Sequence, residues 1–231
     1  MRRTWGRGDQ CPVTIAAVQE RAIVPRGRHA PPLEVRQSRQ RGRLFAAAAA
    51  MFARVGYAEA TAEAIAREAG MSKATFYEHF GNKEDCIVAL FDAATEIVLD
   101  AMRDAAARDA VADPQARVRT TLGAFLETLA HYPDESQTLL VEIVGAGPRA
   151  MERRDRALEA VAQYLVELNQ QDAERGATPR FVSPDDAFAI VGAVVELASR
   201  QIRTRVPGDI RELEPVVERL SLGLMAAGER P

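Results

Sequence analysis

Residues 61–80 read TAEAIAREAGMSKATFYEHF. Two very short helical segments, Ala62–Ala69 and Lys73–His79, flank a tight turn that contains Gly70. Thr61 and Ser72 stand where an N-cap oxygen is wanted, and Gly70 and Gly81 where the chain must leave a helix. Ala66 is small where the two helices must cross closely, and Gly70 can take the positive φ that the turn requires. Ile65, Met71 and Phe76 point toward a shared small core. This is the spacing of a helix-turn-helix, whose second helix lies in a major groove with its N-terminal residues at the base edges. The surface of that helix suits the task. Ser72, Lys73, Thr75, Tyr77 and His79 offer hydrogen-bond donors, and Ala74 allows close approach, for example onto a thymine methyl. Lys83 and the helix start beside it suit a phosphate. Spacing alone fits equally well a helical turn inside any all-α protein.

Outward from this window the chain reads as helix throughout. Toward the N-terminus, Leu44, Ala48, Met51, Phe52 and Val55 step by three or four and form one apolar stripe, which Gly56 ends. Asn82 caps a long helix that reaches about Ala110. Pro114, Pro148 and Pro184 each open a further one, and Ser183-Pro184-Asp185-Asp186 combines cap, proline and first-turn acids. A shorter segment spans about Asp134 to Val144. The last helix runs from about Ile210 to Met225, with a kink expected at Pro215. No stretch alternates with period two for long, and no hairpin signal separates β-branched runs. The expected fold is all-α with about nine helices: a tail at 1–35, a three-helix helix-turn-helix unit at 36–84, and a larger helical domain at 85–231.

Charge divides along the same line. The chain of 231 residues has a net charge of −3, but residues 1–85 hold 14 Lys+Arg against 9 Asp+Glu, a net of +5, and the rest is −8. A basic unit suited to a polyanion precedes an acidic one that is not. Both lysines, Lys73 and Lys83, fall in the basic part. The two cysteines, Cys11 and Cys86, are far apart, so a disulfide framework is not expected and a reducing cytoplasm is. No apolar run approaches the length of a membrane span, and no signal peptide is read at the N-terminus.

The segment Leu44–Glu84 resembles the DNA-binding domain of the tetracycline-repressor (TetR) family. The resemblance rests on Phe45, Ala48, Phe52, Gly56-Tyr57, Thr61, Ile65-Ala66, Ala69-Gly70, Ser72-Lys73, Thr75-Phe76-Tyr77, His79-Phe80 and Lys83-Glu84, in order and spacing. It departs at Met71, where Val is usual, and at Ala60, where a second Thr is common. The resemblance implies that Thr61, Ser72, Lys73, Thr75, Tyr77, His79 and Lys83 stand at positions that touch DNA. It also implies that helices four to seven enclose an effector pocket, and that helices eight and nine build the four-helix interface of a homodimer.

Residue types refine those expectations. Phe91, Phe125, His131, Tyr132 and Tyr164 are the candidates for the effector pocket. Phe188, Val191, Val194, Val195, Ile202, Val216, Val217 and Leu220 recur every three or four positions and are the candidates for the dimer interface, with Gly192, Ala193 and Ala198 allowing close helix approach. The basic stretch Val24–His29 invites comparison with arms that enter a minor groove. No cofactor or metal site is expected: His29, His79 and His131 share no ligand spacing. The expected function is a DNA-binding regulator, a repressor released from a palindromic operator by a small molecule, and not an enzyme. Two alternatives remain. One is an enzyme that uses the G-x-G-x-x-A turn at Gly145–Gly147, which resembles a dinucleotide fingerprint but lacks strand context. The other is a constitutive DNA-binding protein without an effector.

Overall fold

The computed structural model describes residues 32–108 and 114–226. The tail, with Cys11, His29 and the basic arm, lies outside the described residues. Those described form helices and connecting turns, with no strand among them.

The first helix, α1, runs Leu33–Glu59 and breaks at Gly56, whose φ is 81° and ψ 159°. That backbone conformation is closed to L side chains, so Gly56 is required here rather than merely tolerated. Next come α2 (Ala62–Glu68) and α3 (Lys73–His79). Thr61 caps α2 by accepting from the Ala64 N–H at 3.1 Å, and Ser72 caps α3 by accepting from the Thr75 N–H at 3.1 Å. Between them Gly70 (φ 65°) allows a two-bond Schellman turn: the Gly70 N–H donates to the Arg67 carbonyl, and the Met71 N–H to that of Ala66. Arg43 of α1 donates to the Ala69 carbonyl at 2.6 Å, fastening the turn to α1.

Two long helices follow, α4 (Lys83–Arg108) and α5 (Pro114–His131). The Asn82 side chain caps α4 at the Asp85 N–H, 2.8 Å away. After α6 (Pro133–Leu140), a 3-10 turn at Glu142–Gly145 leads into α7 (Pro148–Glu174). The expected single segment to Val144 is thus an α-helix and a separate tighter turn. Ser183 and Asp186 form a capping box at the start of α8 (Pro184–Thr204). A 3-10 turn at Ile210–Leu213 then precedes α9 (Glu214–Ala226). Pro215 does not kink one long helix. It lies in the first turn of α9, where a missing N–H costs nothing.

The core is one contiguous apolar cluster. It begins at Leu44, Phe52, Ile65 and Phe76 around the helix-turn-helix, continues through Ile87 and Leu90 of α4, and reaches Leu126, Ile143, Ile190 and Val217. Because α4 contributes to both ends of this cluster, and α1 packs on α6, the helix-turn-helix and the larger helical body share one core.

The sequence assigned Val191, Val194, Val195, Ile202 and Val217 to a dimer interface. The fold corrects this. Each is at most 8% exposed within the single chain. The apolar stripe of α8 faces its own α4, α6 and α7, because the body has a cavity there to enclose. Of the predicted set, only Phe188 stands out in solvent, 45% exposed, with Val216 and Leu220 half-buried.

Candidate functional site: nucleic-acid interface and ligand cavity

On α3 the apolar and polar faces separate cleanly. Phe76 is fully buried, against Phe80 at a ring-centroid distance of 5.4 Å. Ser72, Lys73, Ala74 and Tyr77 face solvent, and Tyr77 is 48% exposed. This leaves the first turns of α3 free to meet another surface.

Several side chains expected at DNA also hold the domain together. The Ser72 and Thr75 hydroxyls lie 3.0 Å apart, and Ser72 caps the helix. Thr61 is likewise a cap. Lys73 pairs with Glu63 of α2, which raises the lysine pKa and lowers that of the glutamate, chiefly through their hydrogen bond. His79 sits half-buried, its Nε2 3.4 Å from Gln40 Oε1. Burial, and then the nearby Arg41 charge, hold its pKa below the ordinary value.

Lys83 departs most from expectation. Its ammonium turns inward, donating to the carbonyls of Tyr57 at 2.7 Å and Ala58 at 3.1 Å, and sits 4.2 Å from the Tyr57 ring centroid. Two of its three N–H groups therefore satisfy carbonyls at the end of α1. Sequence reasoning missed Arg41, whose guanidinium lies 5.1 Å from the Phe45 ring and 5.0 Å from that of Phe80. It braces α1 against the end of α3. Spacing between Arg41 and Phe45 on one helix was the only signal available. Cys86 is fully buried, and desolvation pushes its thiol up to about 12, so it is not a thiolate nucleophile.

The body contains an apolar cavity bounded by α4, α5, α6, α7 and α8, with about 660 Å³ of non-atom space that includes some open solvent. Phe91 and Phe125 line it as expected. His131, Tyr132 and Tyr164 do not. His131 is exposed at the end of α5, and Tyr132 stacks edge-on against it while lining a separate small crevice with Glu135. Tyr164 is half-buried on α7 outside the cavity wall. Aromatic identity marked these three, but helix register decides which face looks inward. In their place the wall takes aliphatic residues of α8, among them Val191, Val194 and Val195. One charged side chain, Arg154 of α7, is on the wall; its side chain is 23% exposed and lies 3.8 Å from Asp155.

The G-x-G-x-x-A turn falls between the 3-10 turn and α7. With no strand before it among the described residues, it lacks the strand–turn–helix geometry that a dinucleotide site requires. Among the described residues no cluster of His, Cys, Asp and Glu could hold a metal ion, and no helix is long and apolar enough to cross a membrane.

Residues 44–90 match the family described as "Bacterial regulatory proteins, tetR family". Residues 44–90 thus carry a TetR-family DNA-binding domain. Over 138 residues the chain is 30% identical to the HTH-type transcriptional repressor KstR2 of Mycobacterium tuberculosis, the match covering 57% of this chain and 66% of that protein. It thus spans just under two thirds of these relatives. The fatty acid degradation regulator FadR from Bacillus halodurans has the same fold, with a TM-score of 0.73 at 22% identity over 80% of this chain and 95% of that one. A second is Bacillus subtilis FadR in complex with stearoyl-CoA, at 0.69 and 17% over 81% and 98%. A third, the TetR-family regulator PfmR from Thermus thermophilus, is 25% identical with a TM-score of 0.60 over 79% and 95%.

Proposed function

We propose that this chain is a homodimeric transcriptional repressor of the TetR family that binds a palindromic operator and leaves it when an amphipathic small molecule fills the apolar cavity. Residues 36–84 form the DNA-binding unit and 85–231 the ligand-binding and dimerising one. The observation that supports this best is the split character of α3: Phe76 is locked in the core while Ser72, Lys73, Ala74 and Tyr77 are presented outward. A helix held so by its neighbours and bare on its other side is built to meet a groove. Tyr77 and Lys73 contact bases and phosphate, and Thr61, Thr75 and the remaining N–H of Lys83 add backbone contacts.

The effector has a long apolar body and an anionic end. The cavity wall is almost wholly aliphatic and aromatic, and Arg154 supplies the one charge on it. An acyl chain fits that lining, and stearoyl-CoA is bound in the Bacillus subtilis relative of this fold. The dimer forms through the outer face of α8 and α9. There Phe188, Ala189, Gly192 and Ala193 lie opposite the buried stripe, and Gly192 has open space where a side chain would stand. A two-fold axis through this face sets the two α3 helices about 34–36 Å apart, one turn of DNA.

The test has two stages. Selection from random DNA yields a palindromic motif, bound with a steep salt dependence. Long-chain acids and acyl thioesters then release the protein from that motif. Uniform binding to all sequences would overturn the regulator reading. Specific binding that no such ligand weakens would overturn the effector reading and leave a constitutive DNA-binding protein.

A further inference from the structure

A second pocket, of about 470 Å³ including open solvent, lies beside the apolar cavity between α5, α7 and α9 and shares the side chains of Leu122, Leu165 and Ile190 with it. Its character is different. Arg117, Thr121, Asn169, Asp172 and Ser221 are all buried in its wall.

Most of these polar groups are used by the fold. Arg117 Nη1 donates to Asp172 Oδ1 at 2.5 Å. Asn169 accepts from the Phe181 N–H and donates to the Pro179 carbonyl. The Ser221 hydroxyl donates to the Val217 carbonyl. Two atoms are left over: Arg117 Nε and Thr121 Oγ1 are buried with no hydrogen-bond partner. They belong to residues one turn apart on α5. Thr120 and Thr128 on the same helix spend their hydroxyls on the carbonyls four residues back, at 2.8 and 2.7 Å, so the unpartnered Thr121 is not a property of helical threonines here. An unsatisfied buried donor and an adjacent unsatisfied hydroxyl are costly unless something answers both.

We propose that this pocket is the distal compartment of the ligand site, and that Arg117 Nε and Thr121 Oγ1 together bind one uncharged oxygen, a hydroxyl or carbonyl, at the far end of the ligand's apolar body. The oxygen accepts from Nε and hydrogen-bonds Oγ1. Geometry decides against a carboxylate here. Asp172 already occupies Arg117 Nη1, which leaves Nε as the free guanidinium donor facing the pocket. A carboxylate also calls for two parallel donors, and one is on offer. The ligand therefore enters with its acid end at Arg154 and its oxygenated end at Thr121, with Leu122 and Leu165 between.

This inference rests on the effector reading above, and the experiment separates the two. Straight-chain saturated acids of increasing length and their ω-hydroxy counterparts are titrated calorimetrically into the wild-type protein and into Thr121→Val. At the best chain length the ω-hydroxy acid binds the wild type about tenfold more tightly than the parent acid, as expected for one hydrogen bond to a charged donor. In Thr121→Val that preference shrinks severalfold, since Arg117 Nε alone is left to meet the oxygen, and the variant melts, without ligand, no lower than the wild type, since the lost hydroxyl had no partner. Equal affinity in the wild type overturns the distal site and leaves the effector reading intact. A hydroxyl preference undiminished in Thr121→Val also overturns it, because the oxygen is then read elsewhere. If no acid binds at any length, both readings fall.

Discussion

Glu142, in the 3-10 turn after α6, accepts a hydrogen bond at 2.7 Å from the backbone N–H of Tyr57, 85 residues earlier at the end of α1. Its other carboxylate oxygen accepts from Gln137 Nε2 at 2.9 Å. Tyr57 is also the residue whose carbonyl and ring hold Lys83 at the head of α4. Leu139 and Leu140, immediately before this turn, line the apolar cavity. Glu142 thus joins the wall of the cavity to the contact between the end of α1 and the head of α4.

Glu142→Ala should therefore weaken communication more than binding. It leaves the Tyr57 N–H without its carboxylate, at a cost of ~1–3 kcal/mol in stability. The ratio of operator affinities with and without effector, measured by fluorescence anisotropy, should shrink toward one. A mutant that is destabilised but keeps the full ratio would show Glu142 to be structural only.

Gly56→Ala tests the break in α1. The nearest atom to an added Cβ is Glu142 Oε2 at 3.6 Å, an ordinary contact, so the strain comes from the φ of 81° alone. A loss of ~1–3 kcal/mol is expected in chemical denaturation. A neutral result would mean that the chain relaxes at this position without cost.

Lys73→Ala and Lys83→Ala should behave differently, although residue type and motif position assign both the same role. Lys73 is exposed on α3, so its loss lowers operator affinity and reduces the salt slope by about one phosphate, with little change in melting. Lys83 closes the end of α1, so its loss lowers the melting temperature as well. Identical behaviour of the two mutants in melting would contradict these placements.

His79 makes the DNA-binding unit acid-sensitive. Its folded pKa lies below the ordinary value of 6.5, so the unfolded chain binds the proton more readily. The stability it contributes is complete above pH 6.5 and declines as the pH falls below that, until the folded pKa is passed. Denaturation curves taken above and below this point should converge in His79→Gln. An equal acid loss in the mutant would assign the effect to another group.

Substitutions on α8 distinguish its two faces. Ala193→Arg, on the outer face, should give a folded monomer by light scattering, with greatly reduced operator affinity. Val194→Arg, one residue on, is aimed into the core and should not fold, because a buried unpaired charge is not tolerated there. A folded dimeric Ala193→Arg protein would move the interface elsewhere.

What sequence determined by itself was local. Thr61, Ser72, Asn82 and Ser183 were legible as caps, Gly70 as a left-handed turn, and Phe76 against Tyr77 as inside against outside, because each depends on residues within a few positions. The caps and the turn of the helix-turn-helix follow from such short-range rules. The direction in which a long helix faces is different. On α8 the sequence shows one apolar stripe and one of small residues, and periodicity ranks the stripe first without saying what it meets. Only the packing of α4, α6 and α7 around a cavity decided that Val191, Val194 and Val195 turn inward, and that the smaller Gly192 and Ala193 remain on the outer face. The same holds for Lys83 and Glu142, whose partners at Tyr57 are distant in sequence and set by how α1 ends. Hydrophobic burial is non-directional, so its pattern fixes that a face is covered, while the tertiary arrangement fixes by what.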